Sequence, residues 1–74
     1  MIFNAIIEKD ENGYFAKIPE LDGCVSQGET YEEALKNIQE ALELYLESLS
    51  EEERRELAKK RIVSVTPIEV ELSA

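Results

Sequence analysis

The chain predicts a small α+β domain in which three short strands precede a long helix and one strand returns after it. Three observations carry this. All three glycines and one of the two prolines, Gly13, Pro19, Gly23 and Gly28, fall where short apolar segments change direction. From Ala34 to Leu49 the apolar residues recur at helical spacing. From Val63 to Leu72 aliphatic and polar residues alternate, as in a strand with one buried face.

Each element follows in order. Ile2 to Glu8 reads as a strand, with Phe3, Ala5 and Ile7 on one face and Ile2, Asn4, Ile6 and Glu8 on the other. Apolar residues on both faces predict a central position in the sheet. Lys9 to Gly13 is a polar hairpin connection, with Asn12-Gly13 tolerant of positive φ. Tyr14 to Ile18 returns and is ended by Pro19, which cannot donate to a ladder. Leu21-Asp22-Gly23 turns the chain, and Cys24 to Gln27 is a third strand closed by Gly28.

Thr30 opens the long helix. Its hydroxyl is placed to accept from the Glu33 N–H while the Glu33 carboxylate reaches back to the Thr30 N–H. Ala34, Leu35, Ile38, Ala41, Leu42, Tyr45, Leu46 and Leu49 follow on one face. At about 100° per residue they span an arc of roughly 140°, wide enough to lie on a sheet. Ser50, with Glu53 three residues on, predicts a second and shorter helix. Its first turn holds Glu51, Glu52 and Glu53 and its last Lys59, Lys60 and Arg61, which suits the helix dipole.

The final strand covers Ile62 to Val65 and Ile68 to Leu72. Its apolar parity shifts across Pro67, which predicts a break or bulge at Thr66-Pro67. Two hairpins give an antiparallel meander, and a right-handed crossover returns the last strand parallel to the first. The expected sheet is four-stranded, mostly antiparallel, in the order 3-2-1-4, with the long helix on one face. Nothing in the chain is large enough to cover the other face.

With 74 residues this is one domain, 1–74, near the lower size limit for a self-sufficient core. A single cysteine cannot staple it internally, so a homo-oligomer, most simply a dimer, is expected. No apolar run suits a bilayer, and Met1 leads directly into an alternating strand without a signal-peptide pattern. A cytoplasmic location without membrane contact is expected.

The formal net charge is −9, and five of the eight basic residues lie between Arg54 and Arg61, so the part before Ser50 is more acidic still. Such a surface repels nucleic acid and attracts basic partners. Histidine is absent. That removes Ser-His and Cys-His nucleophiles and the commonest transition-metal ligand.

Few residues are candidates for chemistry. Glu8, Glu69 and Glu71, on strands expected side by side, could in principle approach divalent ions. Alternating glutamates also solvate the outer side of any half-buried strand, and no catalytic, metal or cofactor site is assigned to them. Cys24 lacks a partner to activate it and reads as a small core residue. Tyr14, Phe15, Tyr31 and Tyr45 have no interleaved basic residues and read as core or interface, not as base-stacking groups.

The outer face of the long helix is more informative. Glu32, Glu33, Glu40, Glu43 and Glu47 lie within an arc about 100° wide, relieved by Lys36. Glu43 and Glu47 repel at i,i+4. The stripe is either a solvated face or a docking surface for a cationic partner. Asp10, Glu11, Glu20, Asp22 and Glu29 in the turns would extend its field.

The segment from Gly13 to Ala34, with its Ile-Ile-Glu-Lys-Asp-Glu-Asn lead-in, resembles the HicB family of bacterial and archaeal antitoxins. The likeness covers residues 1–50 closely and the rest loosely. It rests on Gly13, Pro19, Gly23, Cys24, Gly28, Glu33 and Ala34, all turn, cap or packing positions. The resemblance implies a curtailed ribonuclease-H-like fold without catalysis. It further implies a partner, a small basic HicA-like toxin that cleaves messenger RNA, neutralised by covering its RNA-binding and active site. Glu32, Glu40, Glu43 and Glu47 are the candidate contacts. Many HicB proteins continue into a DNA-binding module, whereas the sequence here ends at Ala74. Residues 51–61 are too small and too mixed in charge to replace one, so no direct nucleic-acid binding by this chain alone is expected. The alternative is an orphan structural or regulatory oligomeric domain without a cognate toxin.

Overall fold

The computed structural model describes residues 2–60 and 63–73. Three strands, β1 (Ile6–Asp10), β2 (Gly13–Lys17) and β3 (Val25–Gly28), precede helices α1 (Tyr31–Glu47) and α2 (Glu51–Lys60). The sheet is antiparallel in the order β1-β2-β3. The α+β class and the meander are as the sequence predicts.

Several expectations change. The first strand begins at Ile6 instead of Ile2 and runs on to Asp10, because Asp10 pairs with Gly13 across a two-residue connection. That connection is shaped by Asp10, whose Oδ1 accepts from the Asn12 N–H at 2.8 Å. Gly13 takes the positive φ, 127°, and Asn12 does not. The expected fourth strand is not in the sheet: residues 63–73 carry no strand pairing, so β1 is an edge and not a central strand. A bulge at Thr66-Pro67 therefore has no ladder to interrupt. Arg61 and Ile62, expected at the end of the short helix and the start of the last strand, lie outside the described residues, as do Met1 and Ala74.

The register assigns the two sheet faces. Ile7, Ala16 and Ser26 are opposite one another, as are Glu8, Phe15 and Gln27. The first set faces α1, which packs chiefly on β3 and β2. The buried core is small: Ala16, Ile18, Leu21, Cys24, Ala34 and Ile38, flanked by Phe3, Ile7, Leu35, Leu42 and Leu57. Tyr14 and Tyr31 meet edge to face, their ring centroids 6.4 Å apart, and fasten the hairpin to the start of α1. On the opposite face Phe15 and Val25 are 43% and 49% exposed.

Gly28 ends β3 against the first turn of α1. A Cβ there would lie 2.6 Å from the Ala34 nitrogen and 2.8 Å from the Glu33 Cβ, so only glycine permits this approach. The helix start is capped by Thr30, whose Oγ1 accepts from the Glu33 N–H at 3.1 Å. The Glu33 carboxylate meets the Glu29 N–H at 2.9 Å, one residue earlier than the expected Thr30 N–H. At α2 the capping box is reciprocal: Ser50 N–H donates to Glu53 Oε1 at 3.0 Å, and Glu53 N–H donates to Ser50 Oγ at 3.1 Å.

The last turn of α1 contains no basic residue. Arg54 of α2 supplies the charge instead, donating from Nε and Nη2 to the Leu46 carbonyl at 3.2 and 2.9 Å. With Leu57 packed on the core, this contact folds α2 back against the end of α1.

Candidate functional site: an acidic surface

The outward face of α1 presents Glu32, Glu40, Glu43 and Glu47, all exposed. They point outward because Ala34 and Ile38, on the opposite side, are buried against the sheet. Glu33 is also exposed, but its carboxylate is engaged at the helix start. The stripe is thus a row of four glutamates whose two close pairs, Glu40–Glu43 and Glu43–Glu47, repel.

Packing creates a second acidic feature, which sequence reasoning missed. α2 lies across a groove of about 550 Å³ bounded by the Leu21-Asp22 turn and the C-terminal end of α1. Leu21, Tyr45, Leu49 and Leu57 line it alongside Asp22, Glu52, Glu53 and Glu56. Apolar surface among anionic groups suits a basic, partly apolar segment of another protein. The acidic first turn of α2 was the available signal, but its meeting with Asp22 depends on how α2 folds back.

Two features set the electrostatics here. Glu53 has its carboxyl held below the ordinary glutamate value, first by the Ser50 backbone N–H and then by the Ser50 side chain. Glu20, expected to enlarge the negative field, is instead 7% exposed and spends its carboxylate on Asn4. It lines the groove as a structural group.

The other candidates are dispersed. Glu8 lies on β1, while Glu69 and Glu71 lie on the unpaired segment 63–73 and not on a strand beside it. Among the described residues no three His, Cys, Asp or Glu side chains are placed to hold one metal ion. Cys24 is buried in the core, and burial pushes its thiol pKa up, away from the thiolate needed for reactivity. Among the described residues no helix is long and apolar enough to cross a membrane. Gly13, Pro19, Gly23, Gly28, Thr30 and Glu33 all sit at turns, strand ends or the helix cap.

Comparison with known proteins places these features in a family. Residues 3–70 match the family described as HicB_like antitoxin of bacterial toxin-antitoxin system. The chain is 61% identical over 70 residues to a UPF0150 protein of Helicobacter pylori, covering 95% of this chain and 96% of that one. A UPF0150 protein of Archaeoglobus fulgidus is 41% identical over 66 residues, covering 88% of this chain and 96% of that one. A third, from Thermoplasma acidophilum, is 52% identical over 50 residues, covering 66% of this chain and 72% of its own length. No solved structure matches the chain significantly. A match running from β1 through both helices and into the C-terminal segment shows that the chain belongs to the HicB-like antitoxin family.

Proposed function

We propose that this protein is the antitoxin of a two-protein system and neutralises a small basic HicA-like ribonuclease by covering its RNA-binding and active site. The observation that carries this reading is an acidic surface: a formal net charge of −9 with four exposed glutamates along α1 and an acid-lined groove beside it. A ribonuclease that holds RNA through basic residues is complementary to such a surface. Inhibition by steric cover needs no acid, base, nucleophile or metal from this chain. Glu32, Glu40, Glu43 and Glu47 are the proposed contacts, with the groove receiving an apolar anchor from the toxin. The chain acts as one domain in the cytoplasm, without binding nucleic acid by itself. Two copies associate through the uncovered sheet face that carries Ile6, Phe15 and Val25.

The test begins with the gene beside this one. If it encodes a small basic protein, the two are purified separately and mixed. Stoichiometric complex formation with loss of RNA cleavage supports the proposal. RNA cleavage undiminished by a molar excess of this protein overturns it, and would leave the orphan structural or regulatory domain as the reading.

A further inference from the structure

We propose that residues 63–73 are an exchange strand, which adds to the free edge of β1 in a second copy of this chain. This rests on the homodimer proposed above and specifies how the copies hold one another.

The segment has a strand's composition without a strand's partner. Val65, Ile68, Val70 and Leu72 are 67%, 82%, 66% and 88% exposed, and the polar residues Glu69 and Glu71 alternate with the last three. Such a pattern marks one face for burial, and an arm left in solvent exposes all of it. The overall shape agrees. The molecule measures 52 × 27 × 16 Å with a radius of gyration of 14.8 Å. A compact chain of this length would have about 11 Å.

The receiving surface is β1. It lies at the edge of the sheet, so one row of its backbone donors and acceptors has no strand partner among the described residues. Its first two residues, Ile6 and Ile7, are aliphatic, and Phe15 and Val25 continue the uncovered face beyond Ile6. An added strand would extend that apolar surface across four strands in the order 3-2-1-4, the fourth coming from the other copy.

The base of the arm indicates where the copies meet. Asn4 Nδ2 donates to the Val63 carbonyl at 3.2 Å, so the arm departs beside the residues that lead into β1. A two-fold axis near that point brings each arm to the other copy's β1 edge. Reciprocal exchange then satisfies both edges, and packing of the two widened sheet faces against each other covers both sets of exposed aliphatic residues in one closed dimer. Another protein's edge could accept the arm, but it would leave the chain's own β1 edge unpaired.

The experiment uses the full chain. Sedimentation at tens of micromolar should give a species of about twice 8.4 kDa. In a sample mixing 15N-labelled and 13C-labelled copies, intermolecular NOEs should connect the β1 amides with the methyls of Ile68, Val70 and Leu72. Val70→Pro, which removes a donor from a segment unpaired within one copy, should shift the protein to monomer while the helical far-UV signal of α1 and α2 is retained. A Val70→Pro protein that remains dimeric overturns the exchange strand while leaving the dimer intact. NOEs confined to one copy do the same. A wild-type monomer overturns both.

Discussion

Glu20 and Asn4, sixteen residues apart, are joined by three hydrogen bonds: the Asn4 N–H donates to both carboxylate oxygens, at 2.9 and 3.2 Å, and Nδ2 donates to Oε2 at 2.7 Å. Glu20 is buried, and this contact satisfies its carboxylate. The same Asn4 side chain holds the Val63 carbonyl. One asparagine thus ties together the lead into β1, the turn after β2 and the base of the C-terminal arm.

Asn4→Ala removes the shorter, side-chain bond to a buried carboxylate and frees Val63. A hydrogen bond to a charged group contributes about 1.5–3 kcal/mol, so the variant should lose about 2 kcal/mol. Urea unfolding monitored by circular dichroism checks this. The midpoint should fall with little change in slope, since the core itself is untouched.

The glycines separate two kinds of constraint. Gly28→Ala forces a Cβ into the backbone of the first turn of α1, where neither the Ala34 nitrogen nor the Glu33 carbonyl carbon can move without shifting the helix. Overpacking of this kind costs about 1–3 kcal/mol. Gly23→Ala meets no atom within 4 Å, and its penalty comes from φ at +77° alone. That should cost about 1 kcal/mol. Thermal melts should therefore rank wild type above Gly23→Ala, and Gly23→Ala above Gly28→Ala.

The caps predict a pH dependence. Glu53 has a folded pKa below its unfolded one, because Ser50 favours the charged form. Its contribution is fully present above the unfolded glutamate value and is lost as pH falls through the lower, folded value. Ser50→Ala removes the hydroxyl acceptor of the Glu53 N–H and the side-chain part of the shift. A carbon-detected NMR titration should show the Glu53 pKa moving up toward the ordinary value in that variant. The stability gap between wild type and Ser50→Ala should narrow as the medium becomes acidic enough to protonate Glu53. A gap constant down to strong acid would mean that the carboxylate adds nothing to the cap.

Local chemistry explains which parts were legible in the sequence. The apolar stripe of α1, the Thr30 cap and the Ser50–Glu53 box involve residues within a few positions of each other, and spacing alone exposes them. The turns were legible for the same reason, since Gly13, Pro19 and Gly23 restrict their own backbone. The first strand was misplaced because its start depends on pairing across the hairpin, not on its own alternation. The alternation from Val63 to Leu72 says that the segment suits a sheet, but it cannot say whose edge receives it. The groove was illegible because Asp22 and Glu56 are far apart in sequence and line one groove when α2 folds back, as the Arg54–Leu46 and Leu57 contacts hold it.

The helix stripe yields the prediction nearest to function. Changing Glu40, Glu43 and Glu47 together to glutamine removes three negative charges from an exposed surface and relieves two repulsive pairs. Folding should be unchanged or improved by a few tenths of a kcal/mol per pair. Complementary charge acts mainly on encounter, so the association rate with a basic toxin should fall several-fold at low salt. Dissociation should change less, because packed apolar contacts hold the complex once formed. Raising the salt should slow wild type more than the variant until their rates converge, as screening shortens the reach of the stripe to about 8 Å at physiological ionic strength. Stopped-flow mixing at two salt concentrations measures all of this. Equal association rates at low salt would show that the stripe is only a solvated face, and would move attention to Glu52 and Glu56 at the groove.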